Sequence, residues 1–225
     1  MNKRNNIIIG GESLCNSVYT PKNGETSELP LLVYLHGAGE RGKNLDHLSR
    51  HAIPRLIESG REYNAVVLCP QCPADAVWDN IMDKLKATID ITVAEYNIKR
   101  DRIVLTGSSM GGFGAIMAGM TYRNFFAGIA AVSGGGMSWR SSNLAGTPVL
   151  LYHGDRDDAV PIHNSLMLFN SLKNNGYEAE LEIFEGYGHN DAIEKAYEDG
   201  RLVNWLLGKR RTCFDYVPEC LEEIF

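Results

Sequence analysis

The sequence has little positive charge and no long hydrophobic run, and these two absences exclude several classes of partner. Among its 225 residues, 22 Lys and Arg stand against 28 Asp and Glu, which gives a net charge of −6. Because the basic residues form no cluster, we expect neither nucleic acid nor an anionic membrane surface as a partner. No apolar run approaches the ~18 residues that a membrane-spanning helix needs.

The amino terminus lacks the features of an export signal. The basic start, MNKRNN, is followed by only three consecutive isoleucines, whereas the apolar core of a secretory signal has about 7–15 residues. We therefore expect a cytoplasmic protein.

Cysteine is scarce, and its five residues stand at positions 15, 69, 72, 213 and 220. Cys69 and Cys72 have the C-x-x-C spacing of redox and zinc sites. A zinc site needs a second close pair, and Cys213 and Cys220 fit that requirement poorly. A redox pair opens a helix, whereas this pair closes a predicted strand. We therefore predict buried, reduced thiols, with no metal and no cofactor.

Short apolar runs alternate with longer helical patterns throughout the chain, which predicts an α/β fold with a mostly parallel sheet of about 7–8 strands and helices on both faces. The predicted strands are 13–21 (an early edge strand), 30–37, 65–70, 102–107, 127–134, 147–154 and 178–186. The predicted helices are 45–60 (with a kink or break at Pro54), 79–98, 111–122, 162–176 and 191–208. We expect a single domain over 1–225, with its core at about 14–207 and a tail at 208–225.

The stretch GSSMGG, residues 107–112, follows a predicted buried strand and precedes a helix rich in small residues. It fits the pattern G-x-S-x-G, in which a sharp turn holds the central serine exposed at the end of the sheet. The flanking glycines are required because larger side chains would collide with neighbouring elements. This pattern predicts that Ser109, rather than Ser108, is a nucleophile.

A serine nucleophile needs a histidine base and an acid that orients the base. In sites on a strand–turn–helix, the acid and then the histidine follow the serine along the chain. His189, after the last predicted strand, fits the base, whereas we expect His163 to be a solvated helix start. Asp157 in HGDRDDAVP fits the acid, with Asp158 in reserve.

Two neighbours of these candidates receive structural interpretations. Asp155 is expected to make hydrogen bonds within its turn, and His153 to be structural at the end of its strand. The oxyanion of the reaction needs two backbone N–H donors, which we assign to Met110, after the serine, and to Ala38 in HGAG.

Five further side chains could touch a substrate. Trp78, Trp139 and Tyr187 are candidate walls of an open, shallow site, with core packing as the equally weighted alternative for each aromatic ring. Glu40 and Arg41 could bind a polar group of the substrate, although a local ion pair between them that shapes the loop is the favoured interpretation.

The segments PLLVYLHGAGERG, VVLCPQCP, RIVLTGSSMGGFGA, HGDRDDAVP and GYGH together resemble the α/β-hydrolase superfamily, over about residues 14–207. Within it they are similar to small single-domain esterases: the phospholipase/carboxylesterase group, the dienelactone-hydrolase-like group and the predicted peptidases related to feruloyl and acetyl esterases. Dienelactone hydrolases carry a cysteine nucleophile, so the serine argues against their chemistry. The segment 134–147 is too short for a lid domain.

The resemblance implies a serine carboxylesterase that acts on a small-molecule ester with a small acyl group, such as an acylated sugar or an aryl ester. A thioesterase, a serine peptidase acting on short peptides and a non-catalytic binding protein on the same scaffold remain alternatives. The sequence makes no prediction of oligomeric state.

Overall fold

A computed structural model describes residues 1–6, 11, 13–23, 26 and 28–212, and Cys213, Cys220 and most of the predicted tail lie outside these residues. An eight-stranded sheet has the order β1-β2-β4-β3-β5-β6-β7-β8. Its strands are β1 Asn2–Asn6, β2 Asn16–Thr20, β3 Leu31–Leu35, β4 Val66–Pro70, β5 Ile103–Ser108, β6 Gly128–Val132, β7 Val149–Gly154 and β8 Ala179–Phe184. Strand β2 is antiparallel to both β1 and β4, and the six strands from β4 to β8 in the sheet order are parallel.

Six α-helices cover the two faces of the sheet: α1 Ala52–Glu58, α2 Met82–Glu95, α3 Met110–Thr121, α4 His163–Asn174, α5 His189–Glu198 and α6 Arg201–Gly208. Helices α2, α3 and α4 contribute to the hydrophobic core on one face, and α1, α5 and α6 to the core on the other. Short 3-10 helices at Ala38–Glu40, Leu45–Arg50, Trp78–Ile81, Arg100–Arg102 and Ser138–Leu144 complete the described connections. This is the α/β-hydrolase architecture that the sequence predicts.

Strand β1 is absent from the sequence-based prediction, and it displaces β2 from the predicted edge. The strand is NKRNN and carries no apolar residue, so hydrophobic periodicity cannot detect it. Hydrogen bonds to β2 hold it, including one from the Asn6 amide to Asn16 Oδ1 and one from the Ser17 hydroxyl to Asn5 Oδ1. The prediction of β2 as an edge strand is therefore wrong.

Two predicted helices are each divided in the structure. The first divides at His51, and Pro54 lies in the first turn of α1, where a missing N–H breaks no helical hydrogen bond. The kink is therefore three residues earlier than predicted. The last helix divides between α5 and α6 at Gly200, whose φ of 77° ends a right-handed helix.

Trp78 lies in the core, which confirms core packing, one of its two equally weighted predictions, and corrects the other, that it lines the site. The side chain is fully buried, and its indole Nε1–H donates a hydrogen bond of 3.0 Å to the carbonyl of His36. Its ring packs edge-on against the His36 imidazole, with centroids 5.1 Å apart. Trp78 therefore packs against His36 at the end of β3 from inside the core.

None of the helices formed by the described residues is long and apolar enough to cross a membrane.

We expect Trp78→Phe to lower the free energy of unfolding by about 1–3 kcal/mol, because it leaves a gap and an unpaired buried carbonyl. Trp139→Phe is the matched control, since Trp139 is 78% exposed, and it should change stability by less than about 0.5 kcal/mol. Denaturant unfolding followed by circular dichroism measures both. Equal losses in the two variants would contradict this assignment.

Candidate active site

Ser109 lies at the junction between the central strand β5 and helix α3, in a backbone conformation that non-glycine residues rarely adopt. Its φ is 55° and its ψ is −121°. Its N–H donates a hydrogen bond of 2.9 Å to the carbonyl of Val132 on the neighbouring strand. A strained turn of this kind costs free energy of about 1–3 kcal/mol and is typical of catalytic sites. It lifts the Ser109 side chain away from the sheet.

Two glycines permit this turn because other backbone atoms come very close. A Cβ atom on Gly107 would lie 2.2 Å from the carbonyl oxygen of Gly111, and one on Gly111 would lie 2.0 Å from that of Leu35. No side chain fits at either distance. Both glycines of G-x-S-x-G are thus fixed by sterics.

The neighbouring serine has a different role. Ser108 is buried, and its hydroxyl lies 2.9 Å from the Tyr34 hydroxyl inside the protein. Ser109, the partly exposed one of the two, faces the opposite way, toward His189. The structure therefore distinguishes the two serines as the sequence pattern does.

Ser109, His189 and Asp157 form a chain of hydrogen bonds. His189 Nε2 lies 3.0 Å from Ser109 Oγ, and His189 Nδ1 lies 2.7 Å from Asp157 Oδ2. Because a carboxylate only accepts hydrogen bonds, the short contact assigns the proton of the neutral imidazole to Nδ1. The unprotonated Nε2 then faces the serine hydroxyl and can accept its proton.

Asp157 is buried, and its carboxylate is nevertheless stabilised in the charged form. Its Oδ1 accepts hydrogen bonds from the backbone N–H groups of Ala159 at 3.1 Å and Val160 at 2.8 Å. Burial raises the pKa of Asp157, but the hydrogen bonds from Val160 and His189 outweigh burial and hold the pKa below its usual value. The acid is therefore ionised at neutral pH.

A second histidine supports the acid from inside the protein. His153 is buried, with Nε2 2.8 Å from the carbonyl of Val160 and 3.3 Å from Asp157 Oδ2. Its Nδ1 lies 2.7 Å from Ser165 Oγ. Burial lowers the pKa of His153, partly offset by these neighbours. The sequence predicts a structural histidine here.

The remaining acid and base candidates lie away from the triad. His163 is exposed at the first residue of α4, and Asp158 is exposed beside Asp157. Asp155 Oδ1 accepts a hydrogen bond of 2.6 Å from the N–H of Gly186, which joins the loops after β7 and β8. Of all the acid and base candidates, Asp157 and His189 are the two that are hydrogen-bonded to each other, and His189 also reaches Ser109.

Ala38 and Met110 are each the first residue of a helix, and their N–H groups are not donated within the described part of the chain. Such N–H groups are free to bind an anion. His36 fixes the segment that follows β3, residues 36–41, which we call the Ala38 loop. Its Nδ1–H donates to the carbonyl of Gly37 at 2.6 Å, and its Nε2 accepts from the N–H of Cys72 at 3.0 Å. Both ring nitrogens are therefore satisfied in a neutral imidazole.

Arg41, Tyr187 and Trp139 do not line the cavity at Ser109, which corrects three predictions. Arg41 donates to the carbonyls of Ala38 at 3.1 Å and Ala76 at 3.2 Å and forms no ion pair with Glu40. The Tyr187 ring packs against Phe184, with centroids 5.7 Å apart. Trp139 is exposed to solvent. Sequence alone cannot tell which way a loop side chain turns.

A cavity of about 260 Å³ opens at Ser109. Its walls are the Ala38 loop on one side and helix α5 on the other; the lining residues are Gly37, Ala38, Gly39, Glu40, His51, Ser108, Ser109, His189, Asn190, Ile193 and Glu194. Sequence reasoning missed His51, Ile193 and Glu194. The i, i+4 spacing of Ile193 from His189 on one helix is a signal that points to Ile193, whereas no local pattern points to Glu194 or His51.

The cysteine pair is buried and contains free thiols. Burial raises the pKa of Cys72 to about 11 and that of Cys69 further, so neither thiol is reactive at neutral pH. No group of three or more His, Cys, Asp or Glu side chains within the described ranges is arranged to hold a metal ion.

Comparison of the sequence with known families decides the relationship. The sequence profile of the phospholipase/carboxylesterase family matches residues 63–196, which is more than half of the chain and includes Ser109, Asp157 and His189. The chain belongs to the phospholipase/carboxylesterase family of α/β hydrolases.

Two curated relatives of this family member are acyl-protein thioesterases. Acyl-protein thioesterase 1 of Gibberella zeae is 32% identical over 110 residues, which are 44% of this chain and 45% of that protein. The protein of the same name from Neurospora crassa is 33% identical over 112 residues, 45% of this chain and 46% of its own. The similarity spans under half the length of these relatives.

Solved structures of esterases have the same fold. A thermostable esterase has a TM-score of 0.77 and 26% identity, over 93% of this chain and 63% of its own. The feruloyl esterase module of Clostridium thermocellum has a TM-score of 0.71 and 14% identity, over 92% of this chain and 88% of its own.

The buried His36 should make this family member less stable in acid. Burial lowers the pKa of His36 from 6.5 to about 4, so the unfolded chain binds a proton that the folded one does not. The stabilisation is complete above pH 6.5 and declines as the pH falls from 6.5 to about 4. A shift of this size corresponds to on the order of 3 kcal/mol.

The test compares wild type with His36→Asn, which retains a hydrogen-bond donor but cannot titrate. Denaturant unfolding at about pH 7 and about pH 4.5 should show that the variant's stability deficit shrinks by on the order of 2–3 kcal/mol in acid. Parallel pH curves for the two proteins would rule out a buried neutral His36.

Proposed function

We propose that the chain is a serine carboxylesterase that hydrolyses esters with small acyl groups. The observation that carries the proposal is the hydrogen-bonded series from Ser109 Oγ through His189 to the buried carboxylate of Asp157. The strained turn presents that hydroxyl at a cavity. These features together are those of an activated nucleophile.

The first half of the reaction forms an acyl-enzyme. Ser109 Oγ attacks the ester carbonyl carbon while His189 Nε2 takes the hydroxyl proton. The charge that develops on the carbonyl oxygen is stabilised by the N–H groups of Ala38 and Met110 and by the positive amino end of α3. The carbon–oxygen bond to the alcohol then breaks, and His189 returns the proton to the departing oxygen.

The second half regenerates the enzyme. A water molecule attacks the acyl carbon while His189 Nε2 takes one of its protons. The tetrahedral intermediate then breaks its bond to Ser109 Oγ, His189 returns the proton to that oxygen, and the carboxylic acid is released. Asp157 stabilises the imidazolium in both halves and keeps Nδ1 protonated throughout. Every proton that moves passes through the His189 Nε2 atom.

The architecture around the site supports small acyl groups. Only a 3-10 helix, Ser138–Leu144, and short connections join β6 to β7, so no lid domain covers the site at that position. The cavity at Ser109 is about 260 Å³, below the usual size of a drug-sized ligand pocket of about 300–1,000 Å³, so it has no room for a long acyl chain in addition to the alcohol part of the ester. A long acyl chain would extend into solvent.

Thioester hydrolysis is the second candidate, because the curated relatives are acyl-protein thioesterases. The triad and the oxyanion donors would perform the same steps with a sulfur leaving group. The peptidase and the non-catalytic alternatives receive less support: a complete Ser109–His189–Asp157 series favours catalysis, and the family is one of ester hydrolases.

Ser109→Ala should lower kcat/KM for p-nitrophenyl acetate by about 10⁴-fold or more, because it removes the nucleophile. Ser108→Ala is the matched control, since that hydroxyl is buried against Tyr34, and it should lose less than about tenfold. Initial rates at 400 nm measure both. Equal activity of Ser109→Ala and wild type would exclude Ser109 as the nucleophile.

A chain-length series separates the two candidate functions. The esterase proposal predicts that kcat/KM falls from p-nitrophenyl acetate to the octanoate and that oxygen esters are cleaved at least as fast as thioesters with the same acyl group. A thioesterase would instead cleave thioesters faster than oxygen esters with the same acyl group. A rise of kcat/KM toward the octanoate would contradict the preference for small acyl groups.

A further inference from the structure

The cavity at Ser109 contains a carboxylate that the proposed chemistry does not use. Glu40 lies at the end of the Ala38–Glu40 helix, is 5% exposed and lines the cavity. Its Oε2 lies 3.4 Å from the position that a Cβ on Gly37 would occupy, and Ser109 Cβ lies 3.6 Å from the same position. Glu40 is therefore a near neighbour of the nucleophile.

Among the described residues, Glu40 has no arginine or lysine in ion-pair contact, although His51 and Arg50 interact with its carboxylate electrostatically. Among the described residues, the basic side-chain nitrogens within 4.0 Å of its carboxylate are His36 Nδ1 and His51 Nε2, each at 3.7 Å. Both distances exceed that of a hydrogen bond. His36 is neutral, because its Nδ1–H is committed to the carbonyl of Gly37, and Arg41 is bound to backbone carbonyls.

The second carboxylate of the cavity is in a different state. Glu194 Oε2 accepts hydrogen bonds from Arg55 Nη2 at 2.5 Å and Arg55 Nε at 3.2 Å. Its Oε1 lies 3.0 Å from His51 Nδ1. Arg55 thus compensates Glu194 through direct hydrogen bonds, whereas no arginine or lysine of the described residues contacts the Glu40 carboxylate.

Burial of an unbalanced carboxylate is costly, and here it also opposes the reaction. Burial raises the pKa of Glu40, an effect that His51, Arg50 and backbone groups of Gly37 and Glu40 reduce only in part. A negative charge beside Ser109 repels the oxyanion that forms in the transition state. A positive charge between Glu40 and Ser109 would reduce both the cost of burying the carboxylate and its repulsion of the oxyanion.

We propose that the cavity receives a protonated amine on the alcohol part of the ester, and that Glu40 binds this amine. The inference rests on the proposed function, because it assigns the substrate class of the same site. Its preferred substrates are esters of amino alcohols. A charged N–H donor forms a stronger hydrogen bond to a carboxylate than a neutral hydroxyl does.

The position of the cavity assigns the amine to the alcohol rather than to the acyl group. The cavity extends from Ser109 along α5, and its far wall includes Ile193 and Glu194. His189 begins that helix and is the group that returns a proton to the departing alcohol oxygen. The alcohol therefore leaves along the wall that holds the cavity.

The test uses two acetates of nearly the same shape. In 3-(dimethylamino)propyl acetate a protonated nitrogen occupies the place of the branching carbon of 4-methylpentyl acetate. Acid release in a pH-stat gives kcat/KM for each, and we expect wild type to favour the cationic ester by about tenfold or more. In Glu40→Gln this ratio should fall to near one.

Glu178→Gln is the matched control. Glu178 directly precedes β8 and so lies at the amino ends of the parallel strands, whereas the site lies at their carboxyl ends. Its side chain is 59% exposed. This variant should keep the wild-type ratio. Because the main measurement is a ratio within one protein, partial loss of folded Glu40→Gln does not affect it.

Each of the following results would overturn the inference. A wild-type ratio near one, or a ratio that persists in Glu40→Gln, would exclude Glu40 as an amine site. Faster cleavage of 4-hydroxypentyl acetate than of the cationic ester would assign the cavity to hydroxyl groups. If wild type cleaved 4-methylpentyl acetate in a Ser109-dependent way with a ratio of one, the inference alone would fail. Absence of any Ser109-dependent cleavage would remove the proposed function and the inference together.

Discussion

The close approach of Gly111 to the end of β3 is the constraint on which the site depends. The Gly111 Cα lies against the carbonyl of Leu35 so closely that no side chain fits between them. This contact joins helix α3 to the strand that carries the Ala38 loop. It therefore holds Ser109 in its strained turn and sets Ala38 and Met110, the two proposed oxyanion donors, on the same edge of the sheet. The free energy gained by packing the two hydrophobic cores offsets the cost of the strained conformation.

Buried histidines complete the site without taking part in the proposed chemistry. His36 has both ring nitrogens engaged and ties the Ala38 loop to the residues after β4. His153 links the loop after β7 to α4 through Ser165 and contacts Asp157. Each supplies hydrogen bonds to a loop at the end of a strand that carries a residue of the proposed site. The site is thus preorganised by polar groups that carry no charge at neutral pH.

The sequence predicts most of the fold and the triad because both have strong local signatures. Buried parallel strands read as continuous apolar runs, and the sharp turn at Ser109 requires glycines at fixed positions. It fails for β1, whose polar residues are held by pairing alone, and for the aromatic walls, since Trp78 could face either way from its short helix. The role proposed for Glu40 depends on packing as well. Its sequence position predicts a loop, and only the three-dimensional structure shows that no arginine or lysine of the described residues contacts its carboxylate.

The central claim is that Ser109 is the residue that becomes covalently acylated. Labelling with a fluorophosphonate, followed by peptide mass spectrometry, tests it most directly because the reagent traps an activated serine irrespective of the substrate. The account predicts one adduct per chain, located on Ser109, and a much slower reaction in Asp157→Asn, where the imidazole loses its orienting charge. An adduct on another serine, or ester hydrolysis by a protein whose Ser109 stays unlabelled, would contradict it.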